Sequence, residues 1–217
     1  MGITAVIFDI GGVIANQDQD QADRDLARLW PRLSSAAVTA ARNEPGMLEL
    51  WHRHSCGRAD ADLYWGAVLA QLGIEPAPAA VAAMRDIQRR TLWSSIDRPV
   101  LEMACRVHEE GRFRTGVLSN SAVDYEPHIG RFDSCFHRLH FSHRTGLRKP
   151  DPTAYIAVVR DLGSELGETL FIDDKARNTE AAASLGMPTV QFTDAGSLAV
   201  EMAELGVAVP ESSGQSH

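Results

Sequence analysis

Long apolar runs are missing from this 217-residue chain, and no stretch approaches the ~20 residues that a membrane-spanning helix needs. The opening "MGITAVIF" has neither a charged segment ahead of its apolar run nor a small-residue cleavage site after it, so no secretory leader is expected. A myristoylation signal would want Ser or Thr where Val6 stands. Cysteine is scarce: Cys56, Cys105 and Cys135 are odd in number, widely spaced and without a CxxC pair. That pattern predicts free thiols in a reducing, cytoplasmic setting and excludes a zinc ribbon or a disulfide framework. Positive charge is also short, with 21 Lys and Arg against 29 Asp and Glu, and the net charge of −8 argues against a nucleic-acid backbone as partner. The balance of 44% hydrophobic and 23% charged residues is that of a soluble globular protein with one good core, or a core with a smaller insert.

The pattern changes twice along the chain. "VIFDIGGVI" at residues 6–14 reads as an apolar strand that delivers Asp9 into a glycine turn. From about 17 to 95 the text reads as helix after helix, as in "ADLYWGAVLAQLG", where Trp65, Val68, Leu69 and Leu72 recur at helical spacing. Beyond 96, helices alternate with short apolar strands: "RTGVLSNS", "FHRLHFS", "ETLFIDD" and "PTVQF". The predicted inner face of the helix in "DPTAYIAVVRDLG" is Tyr155, Ile156, Val159 and Leu162. Such alternation predicts an α/β fold, a Rossmann-like parallel sheet with helices on both faces. The expected organisation is an α/β core over 1–15 and 96–209, an all-helical insert over 16–95, and a disordered polar tail at 210–217.

In an open parallel sheet, ligands gather beyond the carboxyl ends of the strands. The first strand ends at Asp9, a second at Ser119 and Asn120, and a third at Asp173 and Asp174; Lys149 stands in "GLRKPDP" just before a helix. Singly, each is ordinary: a cap, a turn, a solvated charge. Their convergence on one rim suits phosphoryl transfer. Asp9 can serve as nucleophile. Asp9, the Gly11 carbonyl, Asp174 and Asp173 can ligate Mg²⁺. Ser119, Asn120 and turn amides can hold phosphoryl oxygens, and Lys149 can neutralise the charge between nucleophile and phosphate.

With those residues in that order, the chain resembles haloacid dehalogenase (HAD) superfamily hydrolases that carry a helical C1-type cap. The resemblance spans residues 3 to 193 and rests on "FDIGG" (Asp9), "VLSNS" (Ser119), "GLRKPDP" (Lys149) and "FIDDKARN" (Asp173, Asp174). It implies that the helical insert is the cap and that Asp174 is a direct metal ligand. It further implies that Asp173 ligates directly or through water, and that Asn178 braces the loop.

Most phosphatases of that superfamily have a second Asp at the position of Gly11, where it protonates the leaving group. The chain is similar to a subgroup that lacks it, the bacterial α-glucose-1-phosphate phosphatases, also through "LELWHRHSCGRADADLYW". Three readings follow. The first is a Mg²⁺-dependent phosphatase of small phosphomonoesters, sugar phosphates among them, in which water, Asp18 or His54 carries protons. The second is a 2-haloacid dehalogenase, against which the 173–174 carboxylate pair argues, and the third a non-catalytic binding relative. Gly11 also argues against a phosphomutase. In the insert, Trp51, His52, His54, Tyr64 and Trp65 are candidate substrate contacts, with a packing role for Trp65 equally compatible, while Trp30 and Trp93 read as packing residues. The acids of "NQDQDQADRD" read as a polar helix start, and His137, His140 and His143 as strand and loop surface. The expected partner is a small phosphorylated substrate, bound by a monomer or a homodimer.

Overall fold

The computed structural model describes residues 2–209, so the tail at 210–217 lies outside the described residues. Five parallel strands form the central sheet in the order β5-β4-β1-β6-β7. They are β1 (Ala5–Phe8), β4 (Arg114–Ser119), β5 (Arg138–Phe141), β6 (Thr169–Asp173) and β7 (Thr189–Gln191). Every residue of β1 is buried, because successive side chains point to opposite, covered faces. Val6 and Phe8 join a cluster with Val100, Ala104 and Val107 of α6 (Arg98–Glu109) and Leu198 and Met202 of α11 (Ala195–Glu204). Ala5 and Ile7 join Tyr155, Val158, Val159 and Leu162 of α9 (Pro152–Leu162) and Ala182 of α10 (Ala176–Ser184). Ile156 departs from the predicted inner face of α9: it is 47% exposed, because Val158 takes the inward position beside Tyr155. Gly116 lets α9 approach the sheet, since a Cβ there would come within 3.0 Å of Leu162 Cδ1.

Between β1 and β4 the chain makes its long crossover. Two-residue strands β2 (Ala15–Asn16) and β3 (Ser95–Ile96) pair antiparallel and tie together the entry and exit of the helical insert. The insert holds α1 (Gln19–Leu29), α2 (Ser35–Arg42), α3 (Pro45–Ser55), α4 (Ala61–Gln71) and α5 (Pro78–Thr91). Leu26, Val38, Met47, Trp65, Val68, Leu69, Met84 and Ile87 give it a hydrophobic centre of its own. Leu72 is only partly buried at its margin. Not all the acids of the first helix lie on a polar face: Asp25 is buried and ion-paired to Arg90 (2.5 Å) and Arg28 (3.0 Å). Two one-turn helices, α7 (Glu126–Ile129) and α8 (Ser142–Thr145), complete the core.

Two expectations are corrected here. Cys105 on α6 and Cys135 just ahead of β5 form a disulfide, with Cα atoms 4.3 Å apart, and Cys56 is the one free thiol. The pair is separated by 30 residues and is joined by packing of α6 along the sheet, which no sequence spacing announces. The inference from free thiols to a reducing compartment thereby loses its premise. The three histidines are not a surface series either. The His137 ring meets that of His108 at a tilt, buried His140 pairs with Asp161 (3.0 Å), and His143 lies between the Ser121 hydroxyl and Glu126. Each has its own partner, and the three share no site.

Among the described residues no helix is long and apolar enough to cross a membrane.

Candidate functional site

Register builds the site. Phe8 pairs with Val117 on one side and Ile172 on the other, so the next residues, Asp9 and Asp173, emerge level at the carboxyl edge of adjacent strands. Five other aspartates, Asp18, Asp60, Asp97, Asp151 and Asp194, spend a carboxylate oxygen capping a helix N-terminus. Asp9 and Asp173 cap no helix; they meet Lys149 instead. Lys149, 1% exposed, places its ammonium 2.9 Å from Asp9 Oδ2 and 2.5 Å from Asp173 Oδ2. Its backbone is clamped reciprocally by Asn120: Lys149 N–H donates to Asn120 Oδ1 (2.9 Å), and Asn120 Nδ2 donates to the Lys149 carbonyl (2.8 Å). The amide of Asn120, expected on phosphate, is therefore already engaged in holding the lysine loop.

Asp173 is the most heavily bonded of the acids. Besides Lys149 it accepts from Lys175 N–H (2.9 Å) and from Asn178 Nδ2 at both oxygens (2.9 and 3.0 Å). Asn178 is itself fixed by Tyr155, whose hydroxyl donates to its carbonyl (3.0 Å). Asp174 is the opposite case. Its Oδ1 is buried with no hydrogen-bond partner, the nearest cation being Lys175 Nζ at 3.7 Å. Carboxylate oxygens of Asp9, Asp173 and Asp174 all fall within 4.8 Å of one another. Burial, and then the charge of Asp9, push Asp173 up to about 6 against the pull of Lys149. Three acids facing one ammonium leave a negative surplus, and the hard oxygen donors with one unsatisfied oxygen fit a small divalent cation.

The two glycines after Asp9 have separate explanations. Gly12 sits at φ +89°, and a Cβ there would overlap the Asp174 carboxylate. Gly11 has room for a Cβ, but that atom would lie 3.4 Å from Trp93 Nε1. Trp93 is thus more than packing. Held at φ +52°, a costly conformation for a bulky residue, it stacks on Tyr125 (4.3 Å between centroids) and fills the space beyond Gly11.

Asp9, Gly11, Ser119, Asn120 and Lys149 form one side of a cleft of about 440 Å³, within the usual size of a small-molecule site. The insert contributes Thr39, Arg42, Leu48, Trp51, His52 and Tyr64 to the facing wall. Of the predicted insert contacts, Trp51, His52 and Tyr64 line the cleft. Asp18 does not: it caps α1, accepting from Gln21 N–H (2.9 Å). Nor does His54, which is 2% exposed and stacks on Tyr64 (4.7 Å), with Nε2 turned toward Asp124 (3.7 Å). Trp65 also turns that way, its indole N–H donating to Asp124 (2.8 Å). Arg42, Tyr125 and Arg148 line the cleft without having been anticipated. The only prior sign of Arg42 was a basic residue in the last turn of a helix, a common feature.

A family model for haloacid dehalogenase-like hydrolases matches residues 3–186. A HAD family enzyme of Bacteroides thetaiotaomicron, solved as a variant with magnesium and inorganic phosphate, superposes with a TM-score of 0.70 at 17% identity, covering 88% of this chain and 95% of that one. L-2-haloacid dehalogenase of Xanthobacter autotrophicus, solved with chloropropionic acid covalently bound, superposes at 0.66 with 21% identity over 95% and 84%. Both show the fold. A chloroplast flavin mononucleotide hydrolase of Arabidopsis thaliana is 44% identical over 64 residues, 30% of this chain and 26% of its own. The chain spans about a third or less of the curated relatives it matches first. Family model, fold and strand-end residues agree: this chain belongs to the haloacid dehalogenase-like hydrolases.

Proposed function

We propose that the chain is a Mg²⁺-dependent hydrolase of small phosphomonoesters, sugar phosphates among them, working through an aspartyl-phosphate on Asp9. The observation that carries this reading is the pairing of Lys149 with Asp9 beside the unpartnered oxygen of Asp174. Asp9, the Gly11 carbonyl and Asp174 would hold the cation, with Asp173 positioning Lys149. Bound Mg²⁺ would supply positive charge between the carboxylate and the phosphoryl oxygens, which otherwise repel.

Asp9 attacks phosphorus through a carboxylate oxygen, the P–O bond to the leaving group breaks, and the alkoxide takes a proton from water. A second water attacks the aspartyl-phosphate, releasing phosphate and regenerating Asp9. Lys149, paired with Asp9, balances charge as it accumulates, and Ser119 donates to a phosphoryl oxygen. No acid stands at Gly11, so the reaction favours alcohols that leave readily, such as the anomeric hydroxyl of a sugar 1-phosphate. The magnesium- and phosphate-bound relative and the flavin mononucleotide hydrolase support phosphorus over carbon as the site of attack, as does the 173–174 carboxylate pair. The test is phosphate release from a panel of sugar phosphates, with and without EDTA. Mg²⁺-dependent release led by 1-phosphates is expected. Halide release from 2-haloacids that persists in EDTA would overturn the reading.

A further inference from the structure

The wall of the cleft carries more positive charge than one phosphoryl group needs. Arg42, Arg148, Lys149, Lys175 and Arg177 line it, and Asp9 is the one carboxylate among the lining residues. Lys149 is engaged by Asp9 and Asp173, and Lys175 lies beside Asp174. Arg42 is different. Its Nε donates to the Tyr64 hydroxyl (2.9 Å), and its guanidinium lies 5.0 Å from the Trp51 ring and 5.5 Å from the Trp65 ring. No carboxylate among the described residues comes within 4.0 Å of it. The insert does not lack acids: its Asp25, Asp62 and Asp86 are paired to other arginines, as is Asp124 of the core. Arg42 is thus the cation of the insert that faces the cleft, held by aromatic rings and one phenol and given no counter-ion. Two rings strip water from a guanidinium and return only part of its solvation through cation–π attraction. A ligand bringing its own negative charge would balance it.

On the reading of Asp9 as phosphoryl acceptor, we propose that the substrate carries a second anionic group, a phosphate or a carboxylate, which Arg42 binds with the Tyr64 hydroxyl behind it. One end of the molecule sits at Asp9 in the core and the other at Arg42 in the insert. The scissile phosphoryl group does not need Arg42, because Lys149, Ser119 and the cation site already serve it. The insert thereby selects substrates by charge at a distance from the reacting bond, as binding energy gathered away from the reacting centre.

A matched series tests this: glucose 1-phosphate, glucose 1,6-bisphosphate and glucuronate 1-phosphate differ only in what stands at C6. The wild type is expected to favour one or both doubly anionic esters over glucose 1-phosphate by about tenfold or more in kcat/KM. The winning ester distinguishes phosphate from carboxylate. Arg42→Met should bring the ratio to within about twofold, Arg42→Lys should keep part of it, and Arg148→Gln, at the Arg177 edge of the cleft, should keep most of it. Thr39→Glu offers a second route that spares the aromatic cage. Thr39 is exposed and one turn before Arg42, so a carboxylate there supplies the missing counter-ion and should erase the preference. No preference in the wild type, or a preference that survives both Arg42→Met and Thr39→Glu, would overturn the proposal. Equal loss in Arg148→Gln and Arg42→Met would also overturn it, because the effect would then belong to the general field of the cleft. Calorimetric titration of Asp9→Asn with the bisphosphate and with glucose 1-phosphate separates the two readings. Tighter, Arg42-dependent binding of the bisphosphate by a protein whose wild type releases no phosphate would retain the anion site and remove the phosphatase.

Discussion

Two buried aspartates of the core, Asp173 and Asp124, live in opposite surroundings. Asp173 shares Lys149 with Asp9, stands next to Asp174, and is pushed up to about 6 by burial and by Asp9. Asp124, 1% exposed on the core, receives the Trp65 indole N–H, Arg85 and Arg89, with His54 3.7 Å away. Burial pushes Asp124 up as well, but His54, Trp65 and Arg85 outweigh it and hold the carboxyl well below its ordinary range. Charge is oversupplied at Asp124 and undersupplied at the strand-end acids. The first arrangement is complete in itself and fastens helices α4 and α5 of the insert to the core. The second keeps a negative surplus, which on the proposed reading a cation and a phosphoryl group would complete. Where a fold leaves buried charge unbalanced, a ligand is the economical explanation; where it balances it fully, stability is.

Four substitutions would break or sharpen that contrast. The largest effect is expected from Lys149→Met. Phosphate release should fall by about 10³-fold or more, because the positive charge that balances the attack is gone. Asp124→Ala should leave the acids at the sheet edge untouched and cost about 3–5 kcal/mol, by removing the shared partner of Arg85, Arg89 and Trp65. For a chain of this size that is a fall of roughly 10 °C in Tm by scanning calorimetry.

The pH dependence carries a definite sign. A carboxyl depressed in the folded state gives stability that is fully present above its ordinary value of 3.8 and is lost as pH falls below it. The stability gap between wild type and Asp124→Asn, read from urea titrations, should therefore be widest near neutrality and shrink from about pH 5 downward. A gap that widened in acid would contradict the pairing. The smallest effect is expected at Gly11. Replacing it with Asp should not raise turnover by more than about threefold, because the new carboxylate would meet the Trp93 indole N–H rather than a leaving group. A large gain in kcat on sugar phosphates would show that Trp93 yields.

The parts of the site that are local in sequence were legible before the fold was known. Asp9, Ser119, Asp173 and Asp174 follow apolar strands directly, and a parallel sheet brings such ends to one rim whatever surrounds them. Lys149 could be read for the same reason, as a loop residue between strand and helix. What depends on how the insert lies against the core was not legible. Arg42 and Tyr125 look like ordinary helix text, and Asp18 and His54 looked better placed for chemistry than they are. Asp18 spends its oxygen on a cap, and the ring of His54 is buried between Tyr64 and Asp124. Trp93 was read as a packing residue and is buried, but its backbone turn also brings the indole against Gly11, where the family resemblance had implied an acid. The Cys105–Cys135 bridge failed to show for a related reason: long-range pairing leaves no spacing to read.

The most direct test of the account is phosphate release from p-nitrophenyl phosphate, whose leaving group needs no acid, by wild type and by Asp9→Asn at matched Mg²⁺. The account predicts release by the wild type that EDTA abolishes, and none by Asp9→Asn although it melts at the wild-type temperature. Turnover by Asp9→Asn, or wild-type turnover that ignores EDTA, would contradict it.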